Sequence, residues 1–104
     1  MKRAKYHPAA ADEAVAAAAW YASERPELGE DFADELATVV ALLGEDPIPS
    51  VAHPHVPSRV KAKRILFKRF PYDLVFVERE DATLIVAIAH HSRLPGYWKA
   101  RLRT

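Results

Sequence analysis

Hydrophobic residues recur along this chain at two spacings, helical before residue 44 and strand-like after residue 60. Phe32, Leu36, Val39, Val40 and Leu43 fall at i, i+4, i+7, i+8 and i+11, the stripe of a helix with one buried face. Gly44 and Pro47 supply its stop. Upstream, Pro8 suits a first helical turn, and an alanine-rich segment runs to about Arg25, because Pro26 disfavours helix in the residue before it. Val15, Ala18 and Ala22, with Ala14 and Tyr21 beside them, lie at helical spacing, and small side chains let a second helix approach closely. The two segments predict a helical hairpin. Asp12 and Glu13 in the first segment favour the positive end of its dipole; Glu30, Asp31, Asp34 and Glu35 do the same in the second.

From residue 60 the period shortens to two. Residues 60–70, 72–79 and 83–91 read as strands, with Glu80-Asp81-Ala82 as a tight turn, and residues 2–6 read as a short edge strand. The connections among the three strands after residue 60 are too short for parallel crossovers, so those three form an antiparallel meander. The expected architecture is α+β: an N-terminal helical hairpin on a small, mainly antiparallel sheet, in the order β-α-α-β-β-β, with a short C-terminal tail. In the last strand Leu84, Val86 and Ile88 point one way and Ile85, Ala87 and Ala89 the other, so both faces are apolar. The hairpin covers one face; the other needs the tail or another protein. Pro47, Pro49, Pro54 and Pro57 forbid a helix or a central strand between the two halves. His53 and His55 in that stretch lack a nearby carboxylate or thiol, a poor metal pair, and are expected as exposed loop residues.

Composition narrows the function classes. A chain of 104 residues, half of them hydrophobic, is expected to be one domain, 1–104, with its own core. The absence of cysteine excludes disulfides, thiolate metal sites and a cysteine nucleophile, and fits a cytoplasmic protein. No apolar stretch approaches the ~20 residues that span a bilayer, so no membrane partner is expected. Asp12 and Glu13 follow the basic Lys2, Arg3 and Lys5 too soon for a signal peptide. With no phosphate-binding glycine loop, zinc signature or serine-hydrolase elbow, neither a cofactor nor a metal is expected. The net charge of +1 conceals an asymmetry: residues 1–57 hold 4 Lys/Arg against 10 Asp/Glu, and residues 58–104 hold 11 against 4. Such a chain either has a preferred side for an anionic partner or mixes its charges once folded.

The basic half concentrates the candidate chemistry. Arg59, Lys61 and Lys63 share one face of an extended chain, with Arg64, Lys68 and Arg69 close by. Such a row suits a phosphate backbone, or it protects an edge strand from aggregation. His90, His91, Arg93 and Tyr97 follow the last strand; Arg and Lys stabilise phosphoryl charge, while His or Tyr moves protons. Tyr97 and Trp98 offer rings for stacking on a base, although an indole there also suits the lid of a core. Lys99, Arg101 and Arg103 give a basic end.

Four stretches together carry a family resemblance. They are Tyr6-His7-Pro8-Ala9-Ala10, Leu28-Gly29-Glu30-Asp31-Phe32, Lys68-Arg69-Phe70-Pro71-Tyr72 and the ending from Ala87 through His90-His91-Ser92-Arg93-Leu94-Pro95-Gly96-Tyr97-Trp98. In this order they resemble the RelE/ParE superfamily, toxins of type II toxin–antitoxin modules, and the ending looks most like its ParE-type, plasmid-stabilisation branch. The resemblance implies a toxin held inactive by a cognate antitoxin, the complex reaching operator DNA through the antitoxin and repressing its own operon. ParE-type toxins poison DNA gyrase, whereas RelE-type toxins cut messenger RNA on the ribosome. On the ribonuclease branch the resemblance points to Lys61, Lys63, Arg69, Arg93 and Tyr97, with His90 and His91 beside them. On the gyrase branch no catalytic residues transfer, and Arg59, Arg64, Arg93, Tyr97 and Trp98 become contact candidates. A third possibility is an antitoxin-binding component of operon autoregulation without toxicity.

Overall fold

Pro8 and Pro26 each open a helix, where a missing N–H is no loss. A computed structural model describes residues 3–54 and 56–103; Lys2 of the expected edge strand and His55 lie outside them. The chain forms β1 (Arg3–Tyr6), α1 (Pro8–Glu24), α2 (Pro26–Leu42), β2 (Val51–Ala52), β3 (Lys63–Leu66), β4 (Tyr72–Glu78) and β5 (Ala82–His90), with 3-10 turns at Ser58–Val60 and Lys99–Arg103. His7 caps α1, its Nδ1 accepting the Ala9 amide at 3.1 Å. Arg25 alone, in an extended conformation, turns the chain from α1 into α2.

The hairpin closes on small residues. A Cβ built on Gly29 would stand 2.7 Å from Ala22 Cβ and 3.1 Å from the Ala18 carbonyl oxygen. Gly29→Ala is therefore expected to destabilise the protein by about 1–2 kcal/mol, because overpacking of about 1–3 kcal/mol outweighs the roughly 1 kcal/mol gained in helix propensity. A lower urea midpoint at unchanged m-value would register it. The α1 face differs in part from the sequence expectation. Ala10, Ala14 and Ala17 are buried, whereas Val15 is 70% exposed. The helix touches both α2 and β5, and the smallest side chains take the side nearest the sheet.

The sheet runs β1-β5-β4-β3-β2. The meander of β3, β4 and β5 is antiparallel as expected, and β2 joins β3 antiparallel as a two-residue edge strand, which the neighbouring prolines permit. β1 lies parallel to β5, Arg3 opposite Ala82, because the whole hairpin serves as the connection out of β1. The α+β architecture is thus as read, with one parallel pairing added.

Two corrections bear on the site. The expected strand over residues 60–70 shrinks to Lys63–Leu66. Lys61 adopts a left-handed conformation (φ 59°) after the Ser58–Val60 turn, its amide donating to the Ser58 carbonyl at 3.1 Å. This turn breaks the alternation, so Arg59, Lys61 and Lys63 do not form a row. The second correction is a bulge opposite Val75 and Phe76, whose partners are Ala87 and Ile85. Val86 is the extra residue, and side-chain alternation along β5 changes phase there.

Each sheet face consequently has its own core. Phe32 and Val39 of α2, with Leu43 at its C-cap, meet Ile65, Phe67, Phe70, Leu74, Phe76, Ile85 and Ile88 on one side. On the other, Val75, Val77, Val86 and Ala87 are covered by Trp98, with Tyr97, Leu102, Val56 and Val60 around it. The tail and the proline-rich connection supply the second cover. His53 is part of it, buried with its ring edge-on to Trp98 at 5.3 Å rather than exposed.

Candidate functional site

A carboxylate inside an apolar strand needs partners, and Asp73 in β4 has two. Its side chain is 7% exposed and accepts from Arg64 Nη1 at 3.0 Å, while His91 Nε2 lies 2.9 Å from its other oxygen. Register brings these groups together: Leu66 pairs with Asp73, Val75 with Arg64, and His91 follows directly on β5. The His91 amide donates to the Pro71 carbonyl, tying the end of β5 to the Phe70-Pro71-Tyr72 loop. Phe70 is buried there, and Tyr72 packs edge-on to Phe32 at 5.1 Å. Glu35 of α2 holds the same loop by accepting from the Lys68 and Arg69 amides, and Asp31 pairs with the Arg69 guanidinium at 3.1 Å. Part of the acidic helix face thus serves an internal role.

A second polar cluster joins α1 to the tail. Glu13 accepts from the Tyr97 hydroxyl at 2.6 Å, from both Arg101 terminal nitrogens at 2.9 Å, and from the Ile88 amide at 3.0 Å. Arg101 Nη1 also donates to the Val86 carbonyl, exposed by the bulge, at 3.0 Å. Burial pushes the Glu13 carboxyl up, but the bonds from Arg101, Tyr97 and the Ile88 amide together outweigh it and hold the group below the usual carboxylate range. Burial, then the bond to Glu13 and its charge, drives the Tyr97 phenol far above its ordinary value. Tyr97 is therefore held as the neutral phenol, a weak acid whose hydrogen is committed to Glu13. Arg93 lies over the Tyr97 ring, its Cζ 3.9 Å from the centroid.

The sequence candidates divide into three groups. Arg64, His90, His91, Arg93, Tyr97 and Trp98 line one cavity of ≈ 210 Å³ at the end of β5, although Trp98 is only 1% exposed and packs as the lid of its core. Lys61 and Lys63 line a different pocket, with Ala52, Ala62 and Phe76; Arg59 is exposed on the turn before them. Arg69 points to α2. Among the described residues no group of metal-ligating side chains comes together, and no helix is long and apolar enough to cross a membrane.

Sequence reasoning overlooked Glu13 and Asp73 and assigned Arg101 only to a basic end. Asp73 had a signal, an acid directly before the four apolar residues Leu74 to Val77 of its strand. Glu13 had none, since its partners lie more than seventy positions away.

The model for the ParE toxin of type II toxin–antitoxin systems, parDE, matches residues 4–95. That span holds Glu13, Arg64, Asp73, His90, His91 and Arg93. Comparisons with curated proteins and with solved structures found no match. With a match over most of its length, and with the hairpin, sheet and motifs expected of the family in place, the chain belongs to the ParE toxin family of type II toxin–antitoxin systems.

Proposed function

We propose that this toxin acts by binding and inhibiting DNA gyrase, and that it carries no nuclease active site. Family membership already makes it the toxin of a type II module and implies an antitoxin partner. One observation carries the choice of target. The groups that a ribonuclease would need are separated or engaged: Tyr97 donates to Glu13, Arg69 pairs with Asp31, and Lys61 and Lys63 lie in another pocket. General acid–base work needs its donor and acceptor within reach of a common substrate; His90, His91, Arg93 and Tyr97 share one cavity, but Tyr97 and His91 are tied to Glu13 and Asp73, and the lysines lie outside it. Inhibition through surface contacts makes no such demand. On this reading the protein works in the cytoplasm without a cofactor, reaches operator DNA only through its antitoxin, and stabilises the replicon that encodes the pair.

Purified toxin added to gyrase is expected to abolish supercoiling and to accumulate cleaved DNA. Unchanged supercoiling and cleavage at high excess of toxin would refute the proposal. New codon-periodic cuts in messenger RNA after induction would transfer the activity to the ribosome. Growth unaffected by expression would leave a non-toxic antitoxin-binding component.

A further inference from the structure

Between α1 and the end of β5 runs an open groove of ≈ 280 Å³, walled by Ala16, Ala17, Trp20, Tyr72 and Ile88. Trp20 is 58% exposed, the largest apolar surface beside it. His90 and Arg93 line both this groove and the cavity next to it. His90 Nδ1 takes the Ser92 amide hydrogen at 3.0 Å, which leaves the ring hydrogen on Nε2 as a donor. Tyr72 fixes the same ring edge-on at 5.0 Å. Arg93 is held as well, its Cζ 3.9 Å over the ring of Tyr97, whose hydroxyl is tied to Glu13. Among the described residues neither His90 Nε2 nor the Arg93 guanidinium has an acceptor. The acids near them are engaged: Glu13 is balanced by Arg101, and Asp73 by Arg64 and His91.

We infer that this groove docks a segment of a partner protein that presents a carboxylate to Arg93 and His90 and an apolar side chain to Trp20 and the alanines of α1. The inference rests on the reading that the toxin works through protein contacts, and it supplies the chemistry of the contact. A planar guanidinium held in place matches a carboxylate in two parallel bonds and loses little freedom on binding. A nucleic acid fits less well. Its phosphates need a row of cations, and the row expected from Arg59, Lys61 and Lys63 is broken at Lys61. Its bases need several open aromatic faces in series, yet Trp20 is a single exposed ring and Arg93 already covers Tyr97.

The test uses a capped peptide of alternating leucine and glutamate, its glutamine counterpart and an oligothymidylate, each titrated into the labelled full-length protein and followed by NMR. The glutamate peptide is expected to shift the side-chain signals of Arg93, His90 and Trp20. The glutamine peptide should bind at least about tenfold more weakly, and Arg93→Gln or Trp20→Ala, both at exposed positions, should weaken the glutamate peptide as much. Equal binding of the two peptides, unchanged binding to Arg93→Gln, no shift up to about 10 mM peptide, or oligothymidylate binding in place of peptide would each overturn the inference. Gyrase takes no part in the titration, so its outcome and that of the supercoiling assay are read separately.

Discussion

Replacing Trp98 by alanine is expected to lower folding stability by about 3–5 kcal/mol, the usual range for emptying a large buried aromatic site. The indole is 1% exposed and is the centre of the cover over Val75, Val77, Val86 and Ala87. Its neighbours cannot close the gap. All four of those residues belong to strands paired on both sides, and His53 is held by the hydrogen bond from its amide to the Ala62 carbonyl at 3.2 Å. The variant would also uncover an apolar sheet face, so it should aggregate at concentrations where the parent stays monodisperse. Trp98→Phe keeps most of the contact and should retain more than half of the lost stability. Urea unfolding followed by circular dichroism measures both; a loss below about 1 kcal/mol for Trp98→Ala would show that the tail does not cover the sheet in solution.

Glu13→Ala comes next, with an expected loss of about 2–4 kcal/mol. Removing one partner of a buried ion pair costs roughly 3–5 kcal/mol, and the figure is reduced here because Glu13 and Arg101 keep 17% and 18% of their side-chain surface in solvent. The loss arises from what is left behind: a guanidinium that keeps the Val86 carbonyl but loses its carboxylate, and a phenol and the Ile88 amide that lose this acceptor. Changing Arg101 to methionine in the same chain should restore part of the stability, a coupling that a double-mutant cycle reads directly. The pH dependence has a fixed sign. Glu13 has a folded pKa below its unfolded value of about 4.3. Its contribution is therefore complete above that value and is lost as pH falls through the folded pKa. Below about pH 4.3 the parent should lose stability more steeply than Glu13→Gln does.

The parts of this molecule legible in the sequence are those set by local periodicity. The α2 stripe of Phe32, Leu36, Val39, Val40 and Leu43 is buried or half-buried throughout, and β4 and β5 lie within one residue of their expected bounds. What went astray depends on single residues whose conformation is settled by tertiary contacts. Lys61 could continue a strand or turn left-handed, and no pattern of its neighbours distinguishes the two. Val86 reads as one more alternating residue until the bulge places it and Ala87 in the same core. Val15 lies at the helical spacing expected to pack, yet the sheet is close enough that Ala17 takes the inner place and Val15 stays exposed. At the site, the clustering of His90, His91 and Arg93 was visible because they are consecutive or nearly so. Their division of labour was not, because it depends on Glu13 and Asp73 in distant elements.

The parallel pairing of β1 with β5 has a consequence for how the toxin comes into being. The first strand finds its partner only at residues 82–85, and Glu13 meets Arg101, 88 residues further along the chain. Until the ribosome has passed Arg101, the helical hairpin has an apolar stripe without a finished sheet to rest on, and Arg93 has no anchored Tyr97 ring beneath it. Closing the first segment against the last is also the slow kind of contact to form, since the intervening chain must be ordered first. A chain that stops short of Arg101 therefore cannot complete the Glu13 cluster that fastens the tail to the first helix.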